Sequence, residues 1–462
     1  YEVLHEVATQ GAFANIVLPK ALRQARREGH FSDRDAAFTS ELVHGTLRAI
    51  GRLDWVIARH VDRPLADLDP RVLVLARMGA HQLLDMRVPD HAAVSATVDV
   101  AREHLTDGPV RFVNAVLRSI TREEDAEREA ALAAIEDEDE ALGVRYSHPA
   151  WMVRAFREAL EAHGYSTDEL EDLLAADNEV PTVTLVARPV LMSVDELADG
   201  AEDILDTRVA LGAVSPRAVL LESGDPARLP SIRDGRSGAQ DEGSQLAAMI
   251  AAQAPVNGGE DARWLDLCAG PGGKAALLAA RAAQKGAQLL ANEVSPHRAD
   301  LVRSALRAVP PDTAHVRCGD GRDLGRDEPG RYDRVLVDAP CTGLGSLRRR
   351  PEARWRRQPG DVTVLAELQR ELLTSALRAV RRGGVVTYVT CSPHALEPSL
   401  VVRDVTRLLR REGLNTEILH AGDLATRLAP QPPAGAEREM LQLWPHLDGT
   451  DAMFCALLRR TS

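Results

Sequence analysis

Asp266-Leu267-Cys268-Ala269-Gly270-Pro271-Gly272-Gly273-Lys274 is the stretch on which the fold turns. An apolar run over 264–268 leads into it and reads as a strand; residues 274–283 follow at helical spacing. A strand that ends in glycines and opens a helix lets the backbone bend sharply and pass close to a ligand. The spacing differs from G-x-G-x-x-G, which turns the reading away from a dinucleotide dehydrogenase. Taken alone, such a loop is a weak sign of a ligand, because a plain tight turn is the alternative.

Outward from it, the pattern repeats. Residues 288–292, 315–318, 334–338 and 385–390 are further strand candidates; 296–309, 364–380 and 396–410 are helix candidates. Strands alternating with helices predict right-handed crossovers and a doubly wound, mostly parallel sheet of the Rossmann-like α/β class. The run 453–458 would add a last strand. Ligands of such sheets bind beyond the carboxyl ends of the strands. The next strand there ends in Glu293, 23 residues after Gly270, where a carboxylate suits two ribose hydroxyls. The third ends near Asp320, placed to approach an adenine edge, and the fourth ends in Asp338. Three acids and a glycine loop at four successive strand ends point to an adenosine-containing cofactor.

Two cysteines share that edge. Cys341 follows Asp338-Ala339-Pro340, and Cys391 follows Thr390. Cys318 and Cys455 read as inert apolar side chains. A thiolate beside such a cofactor has a specific use. Carbon 5 of cytosine is too weak a nucleophile to accept a methyl group directly. A thiolate added to carbon 6 makes the ring an enamine, whose carbon 5 can attack the methyl of a sulfonium. Asp338, near N3 of the ring, would hold the proton that favours addition. The nucleophile should have a lowered pKa.

The stretches 266–274, 338–343 and 390–392 resemble the motifs of the RNA cytosine-C5 methyltransferases. Asp241-Glu242-Gly243-Ser244-Gln245 and Asp448-Gly449-Thr450-Asp451 are similar as well. The resemblance covers roughly residues 145–460 and is specific, because it includes both cysteines. It implies S-adenosyl-L-methionine as cofactor, held by Cys268, Ala269, Gly270, Pro271, Gly272, Gly273, Lys274, Glu293, Asp320 and Asp338. It implies Cys391 as nucleophile and Cys341 as the residue that assists release of the methylated product. DNA cytosine methyltransferases use the cysteine after proline as nucleophile, and amino-methylating enzymes carry a Pro-Pro-aromatic motif that is absent here. One departure is visible: many members carry Glu-Asn after the Thr-Cys motif, whereas Glu397 is followed by Pro398 and Ser399.

Ahead of this domain the chain reads as helices. Val72, Leu75, Ala76, Gly79 and Leu83 fall at helical spacing, as do Phe112, Val113, Val116, Leu117 and Ile120. Pro64, Pro70, Pro89 and Pro109 stand where new helices could begin. Residues 1–125 resemble the NusB-type RNA-binding helical domain, and its place before such a methyltransferase is the arrangement of the bacterial 16S ribosomal RNA methyltransferases of Fmu/RsmB type. The expected organisation is thus a NusB-like bundle over 1–125, a small α+β segment over 142–235 and the methyltransferase domain over 236–462. The acidic run 123–140 is a linker or a solvated helix.

The 462 residues include 45% hydrophobic and 27% charged side chains, a globular composition. No apolar stretch reaches the roughly 20 residues needed to span a bilayer, and nothing near the start reads as a secretion signal. Five singly spread cysteines speak against a disulfide framework or zinc cluster and for a reducing cytoplasm. A net charge of −13 opposes polyanion binding as a whole, but local patches decide it. Arg348, Arg349, Arg350, Arg354, Arg356 and Arg357 crowd together around Trp355, and they are expected to bind RNA phosphates and an unstacked base. A cytosine in 16S ribosomal RNA is the expected target and a monomer the expected state. A transfer-RNA enzyme of the same mechanism, a non-catalytic RNA-binding assembly factor and a small-molecule methyltransferase are the alternatives.

Overall fold

The glycine turn 268–273 does join a strand to a helix in the computed structural model, which describes residues 1–29 and 31–462. The chain divides into two units, one of residues 1–160, 166–180 and 347–357, the other of 161–165, 181–346 and 358–462.

The first unit is helical. Pro70 occupies the first position of helix Pro70–Leu84, where its missing N–H costs nothing, and the Asp69 carboxylate caps it by accepting from Arg71 N. Pro89 stands at the cap of Asp90–His104, and Pro109 lies in the first turn of Asp107–Ile120. Pro64 precedes only a short 3-10 turn, Leu65–Asp67. The expected apolar stripes face inward: Val72, Leu75 and Ala76 share one core with Val113, Val116, Leu117 and Ile120. The acidic run forms two helices, Asp125–Ala133 and Glu138–Arg145, with Asp125, Glu127, Glu138, Asp139 and Glu140 in their first turns. Carboxylates there meet the positive end of the helix dipole, so a dense acidic run is compatible with helix. Helices Ala150–Ala162 and Leu170–Ala176 continue the pattern, so the α+β segment has a helical front.

The second unit holds two sheets. In the smaller, β1 (Val183–Ala187), β2 (Val209–Leu211), β3 (Ala218–Leu221) and β4 (Ser237–Ala239) pair antiparallel in the order β2-β3-β1-β4. The larger comprises β5 (Arg263–Asp266), β6 (Gln288–Glu293), β7 (Ala314–Cys318), β8 (Tyr332–Asp338), β9 (Val380–Thr390), β10 (Thr416–Leu419), β11 (Leu441–Gln442) and β12 (Phe454–Arg460). Its order is β10-β12-β9-β8-β5-β6-β7, with β11 on the β12 edge. The five strands from β9 to β7 are parallel, while β12 runs antiparallel between β9 and β10. Helices bury apolar side chains on both faces, which is why these strands read as unbroken apolar runs.

Element ends moved for local reasons. The helix expected to 309 ends at Ala305, consistent with Pro310 disfavouring helical backbone at its predecessor. The one expected from 364 begins at Pro359, a proline at a first position behind a Gln358–Asp361 capping box. The one expected from 396 begins at Ser399, leaving Glu397 in the loop that follows Cys391. The order of strands reverses between β5 and β8, so a crevice opens beyond their carboxyl ends.

Candidate active site

The turn after β5 is shaped by close approach. A side chain at Gly270 would place Cβ 2.2 Å from Glu293 Oε2, and one at Gly272 would lie 2.6 Å from Ala305 Cβ at a φ of +114°. The bare backbone lets Gly270 N–H donate to Glu293 Oε2 at 3.0 Å, while Ser295 N–H donates to Oε1 at 3.0 Å. Glu293 is thereby held at the end of β6, buried, with the Arg298 guanidinium 3.7 Å away. Cys268 and Ala269 open the turn, Pro271 lies between the two glycines, and Gly273 begins helix Gly273–Lys285.

Lys274 leaves that helix for the crevice, where its Nζ donates to Asp338 Oδ2 at 3.0 Å. Burial opposes its charge, but the Asp338 carboxylate outweighs burial and the lysine pKa rises. Asp320 caps the 3-10 turn after β7 and is gripped by the Arg322 guanidinium, whose hydrogen bonds lower its pKa. The expected adenine-edge acid therefore already has a cationic partner, which also reaches Glu371 at 3.0 Å.

Asp266, at the tip of β5, is fully buried, and the Cys268 amide is the one backbone donor acting on its carboxyl among the described residues. Burial first, then the nearby Asp338 charge, pushes its pKa up to about 8 against the opposing pull of Lys274 and the Cys268 amide. Folded protein thus keeps a proton that unfolded chain releases near its ordinary value of 3.8. The stability this supplies is complete below that value and is lost as pH climbs toward the folded pKa. We expect wild-type stability to fall by about 1.4 kcal/mol per pH unit through that window, and Asp266→Asn to flatten the slope. Thermal unfolding at pH 5 and pH 8 measures it; equal slopes in the two proteins would refute the buried-proton account.

Cys341 and Cys391 come together. They follow neighbouring parallel strands, β8 and β9, with Asp338 in register with Val389. Their sulfurs stand 3.3 Å apart, and both residues are partly buried. The hydrogen bond between the thiols is the largest influence on each: it lowers the pKa of Cys391 and raises that of Cys341 well above the ordinary thiol value. Lys274 also favours the Cys391 thiolate, whereas Asp338 and Asp451 oppose it. Within the pair these influences favour the anion on Cys391 over one on Cys341. Cys455 is buried in the core with its pKa pushed up to about 12 by desolvation. Cys318, expected to be buried, is exposed instead, because it closes the edge strand β7.

The arginine cluster departs most from expectation. Residues 347–357 belong to the helical unit. Arg354 is completely buried and donates to Arg48 O, Ser147 O, Asp177 O and Asn178 Oδ1 at 2.7–3.2 Å. Arg356 donates to the carbonyls of Val7, Gly11 and Ala12, and Arg348 is buried. Arg349, Trp355 and Arg357 are half-buried, and only Arg350 is exposed, its guanidinium over the Phe13 ring at 5.5 Å. Arg354 is therefore withdrawn from any RNA surface, because its buried guanidinium is taken up by three backbone carbonyls and the Asn178 amide oxygen.

Sequence reasoning missed Glu397 as a site residue, together with Thr342, Gln369 and Ser392, which converge on its buried carboxylate. No spacing rule links residues that meet only through strand pairing. Nor did it foresee the Lys274–Asp338 ion pair.

Residues 253–459 match the family described as 16S rRNA methyltransferase RsmB/F, and residues 1–122 match the NusB family. A Mycobacterium tuberculosis protein named "Putative methyltransferase Rv1407" is 48% identical over 463 residues, covering 100% of this chain and 95% of that protein. The Escherichia coli ribosomal RNA small subunit methyltransferase B is 32% identical over 407 residues, 87% of each chain. Among solved structures, the crystal structure of PH0851 aligns at a TM-score of 0.77 with 22% identity, covering 95% of this chain and 93% of that one. This last likeness speaks to the fold alone.

Proposed function

Because the chain belongs to the 16S rRNA methyltransferase RsmB/F family, we propose that it methylates carbon 5 of a cytosine in small-subunit ribosomal RNA through a transient bond between Cys391 and carbon 6. The protein is an RNA methyltransferase, and S-adenosylmethionine is its methyl donor. The observation that carries the finer reading is the pair of sulfurs 3.3 Å apart at the carboxyl ends of β8 and β9, beside the glycine turn.

The residues present fit the cofactor. Gly270 leaves a cradle that a Cβ would fill, and the buried Glu293 carboxylate beside it suits a ligand with ribose hydroxyls. Residues 268–274 and Glu293 would hold it, with Asp320 at the neighbouring strand end. When bound, it supplies an electrophilic methyl group at carbon 5 of the base.

The chain's own residues do the rest. The Cys391 thiolate adds its electron pair to carbon 6, and the displaced π pair makes carbon 5 nucleophilic. Asp338, ion-paired with Lys274 at 3.0 Å, is assigned to the proton at N3. After methylation, the carbon-5 proton passes to solvent water, its electron pair re-forms the C5–C6 double bond, Cys391 departs as thiolate, and the N3 proton returns to Asp338. Cys341, beside Cys391, assists this release. The target base must be unstacked to reach a site at this depth.

Product analysis tests the reading. The protein with unmethylated small-subunit RNA and S-adenosylmethionine is expected to yield 5-methylcytidine on nucleoside mass spectrometry. A methyl group at N4 of cytidine, or on another nucleoside, would overturn the chemistry; modification of transfer RNA in preference would overturn the substrate.

A further inference from the structure

We propose that Glu397 is a positioning residue that clamps the two cysteine loops together and keeps the proton of the thiol pair on Cys341. The proposal rests on the reading of Cys391 as nucleophile.

Strand pairing cannot set the sulfur–sulfur distance by itself. The β8–β9 ladder ends at Asp338 and Val389, with one further bond from Ala339 N to Val389 O at 2.9 Å. Beyond it the Cys341 loop leaves β8, while β9 still pairs Thr390 with Phe454, and one backbone bond, Gly345 N–H to Cys391 O at 2.9 Å, joins the loops. Glu397 bridges them. Its Oε1 accepts from Thr342 N at 2.8 Å and Gln369 Nε2 at 3.0 Å; its Oε2 accepts from Ser392 Oγ at 2.6 Å and from Thr342 Oγ1. The residue after each cysteine thus donates to one carboxylate. Gln369 is aimed in turn, donating to Pro340 O at 2.8 Å, with the Tyr388 hydroxyl 3.0 Å from its Oε1 and 2.9 Å from Glu397 O.

Glu397, Gln369 and Ser392 are wholly buried, and Thr342 is nearly so. A buried carboxylate is costly unless its lone pairs are met, and four donors meet these. A neutral side chain could hold two loops at less cost, so the charge itself calls for a function. The groups facing the thiols are Asp338 from β8, Tyr388 from β9, Lys274 from its helix, Asp451 from the loop before β12, and Glu397. Lys274 acts on the Cys391 side, whereas Glu397 acts on Cys341, where its negative charge disfavours a second anion. Lys274 by its ion pair with Asp338 beside Cys391, and Glu397 by its bonds to Thr342 next to Cys341, together favour the thiolate on Cys391.

Glu397→Gln separates charge from clamp. Its amide oxygen can still accept from Thr342 N and Gln369, and its NH2 can donate to the two hydroxyls. Glu397→Ala removes both. The full-length protein, without RNA or cofactor, is treated with iodoacetamide from pH 6 to pH 10, and alkylation of each cysteine is followed by peptide mass spectrometry. Each thiolate displaces iodide from the reagent, so the rate reports the thiolate fraction. Wild type is expected to react first at Cys391. In Glu397→Gln the preference for Cys391 over Cys341 should fall by roughly tenfold, the equivalent of about one pKa unit. In Glu397→Ala it should vanish. An unchanged preference and pH profile in Glu397→Gln would overturn the proposal even if Glu397→Ala fails to fold. The alkylation needs no RNA, so failure of the methylation chemistry and failure of this role are told apart.

Discussion

Cys341→Ala protein, given unmethylated small-subunit RNA and S-adenosylmethionine, is expected to accumulate an RNA–protein adduct that survives denaturation, while Cys391→Ala yields neither adduct nor product. The geometry assigns the asymmetry. The thiolate is favoured on Cys391 by the Cys341 thiol 3.3 Å away and by Lys274. Removing Cys391 removes the proposed nucleophile, and activity should drop by more than about 10³-fold, as losses of covalent nucleophiles do. Removing Cys341 leaves the nucleophile and takes away its partner, so addition proceeds and release stalls. A denaturing gel with labelled RNA reads both. An adduct in Cys391→Ala would sink the assignment of the nucleophile. Absence of adduct in both variants, with cofactor binding intact, would sink the covalent route.

Arg354→Ala is expected to destabilise the helical unit by about 3–5 kcal/mol, the range for removing one partner from a buried charged network. The guanidinium carries four hydrogen bonds into the chain at Arg48, Ser147, Asp177 and Asn178, and burial holds its pKa near 10. Truncation leaves three buried carbonyls without this donor and opens a cavity. Arg354→Lys should also fail, because an ammonium cannot span four acceptors with a planar fork. Arg350→Ala, on the exposed residue of the same segment, should leave the melting temperature within about a degree, as surface changes do. Equal melting temperatures for wild type and Arg354→Ala, with a shallower salt dependence of RNA binding, would return Arg354 to the RNA surface where sequence alone had placed it.

That misreading shows where sequence patterns stop. Six arginines around a tryptophan look alike whether they face phosphates or carbonyls, since both are hydrogen-bond acceptors. The sequence holds no sign that the chain leaves the methyltransferase unit at Leu347 and returns at Gln358. The acidic run was equally ambiguous until its carboxylates were seen in the first turns of two helices. Cys318 was misplaced because a cysteine's burial depends on whether its strand is central or at an edge, and strand order is not written in one dimension.

What the sequence by itself determined is whatever depends on local chemistry. The alternation of apolar runs and helical stretches specified the doubly wound sheet, because a strand covered on both faces must be apolar throughout. The glycine turn, Glu293, Cys341 and Cys391 were legible because ligands of such sheets bind past the strand ends, and those residues stand immediately there. The tertiary structure alone decided which side chains meet. It paired Lys274 with Asp338, buried the Asp266 carboxyl near the Asp338 charge, and brought the cysteines to 3.3 Å across 50 residues of chain. It also set Glu397 between their loops. Hydrogen bonds and charge interactions act over a few ångströms of space, and only strand pairing and packing turn sequence separation into that distance.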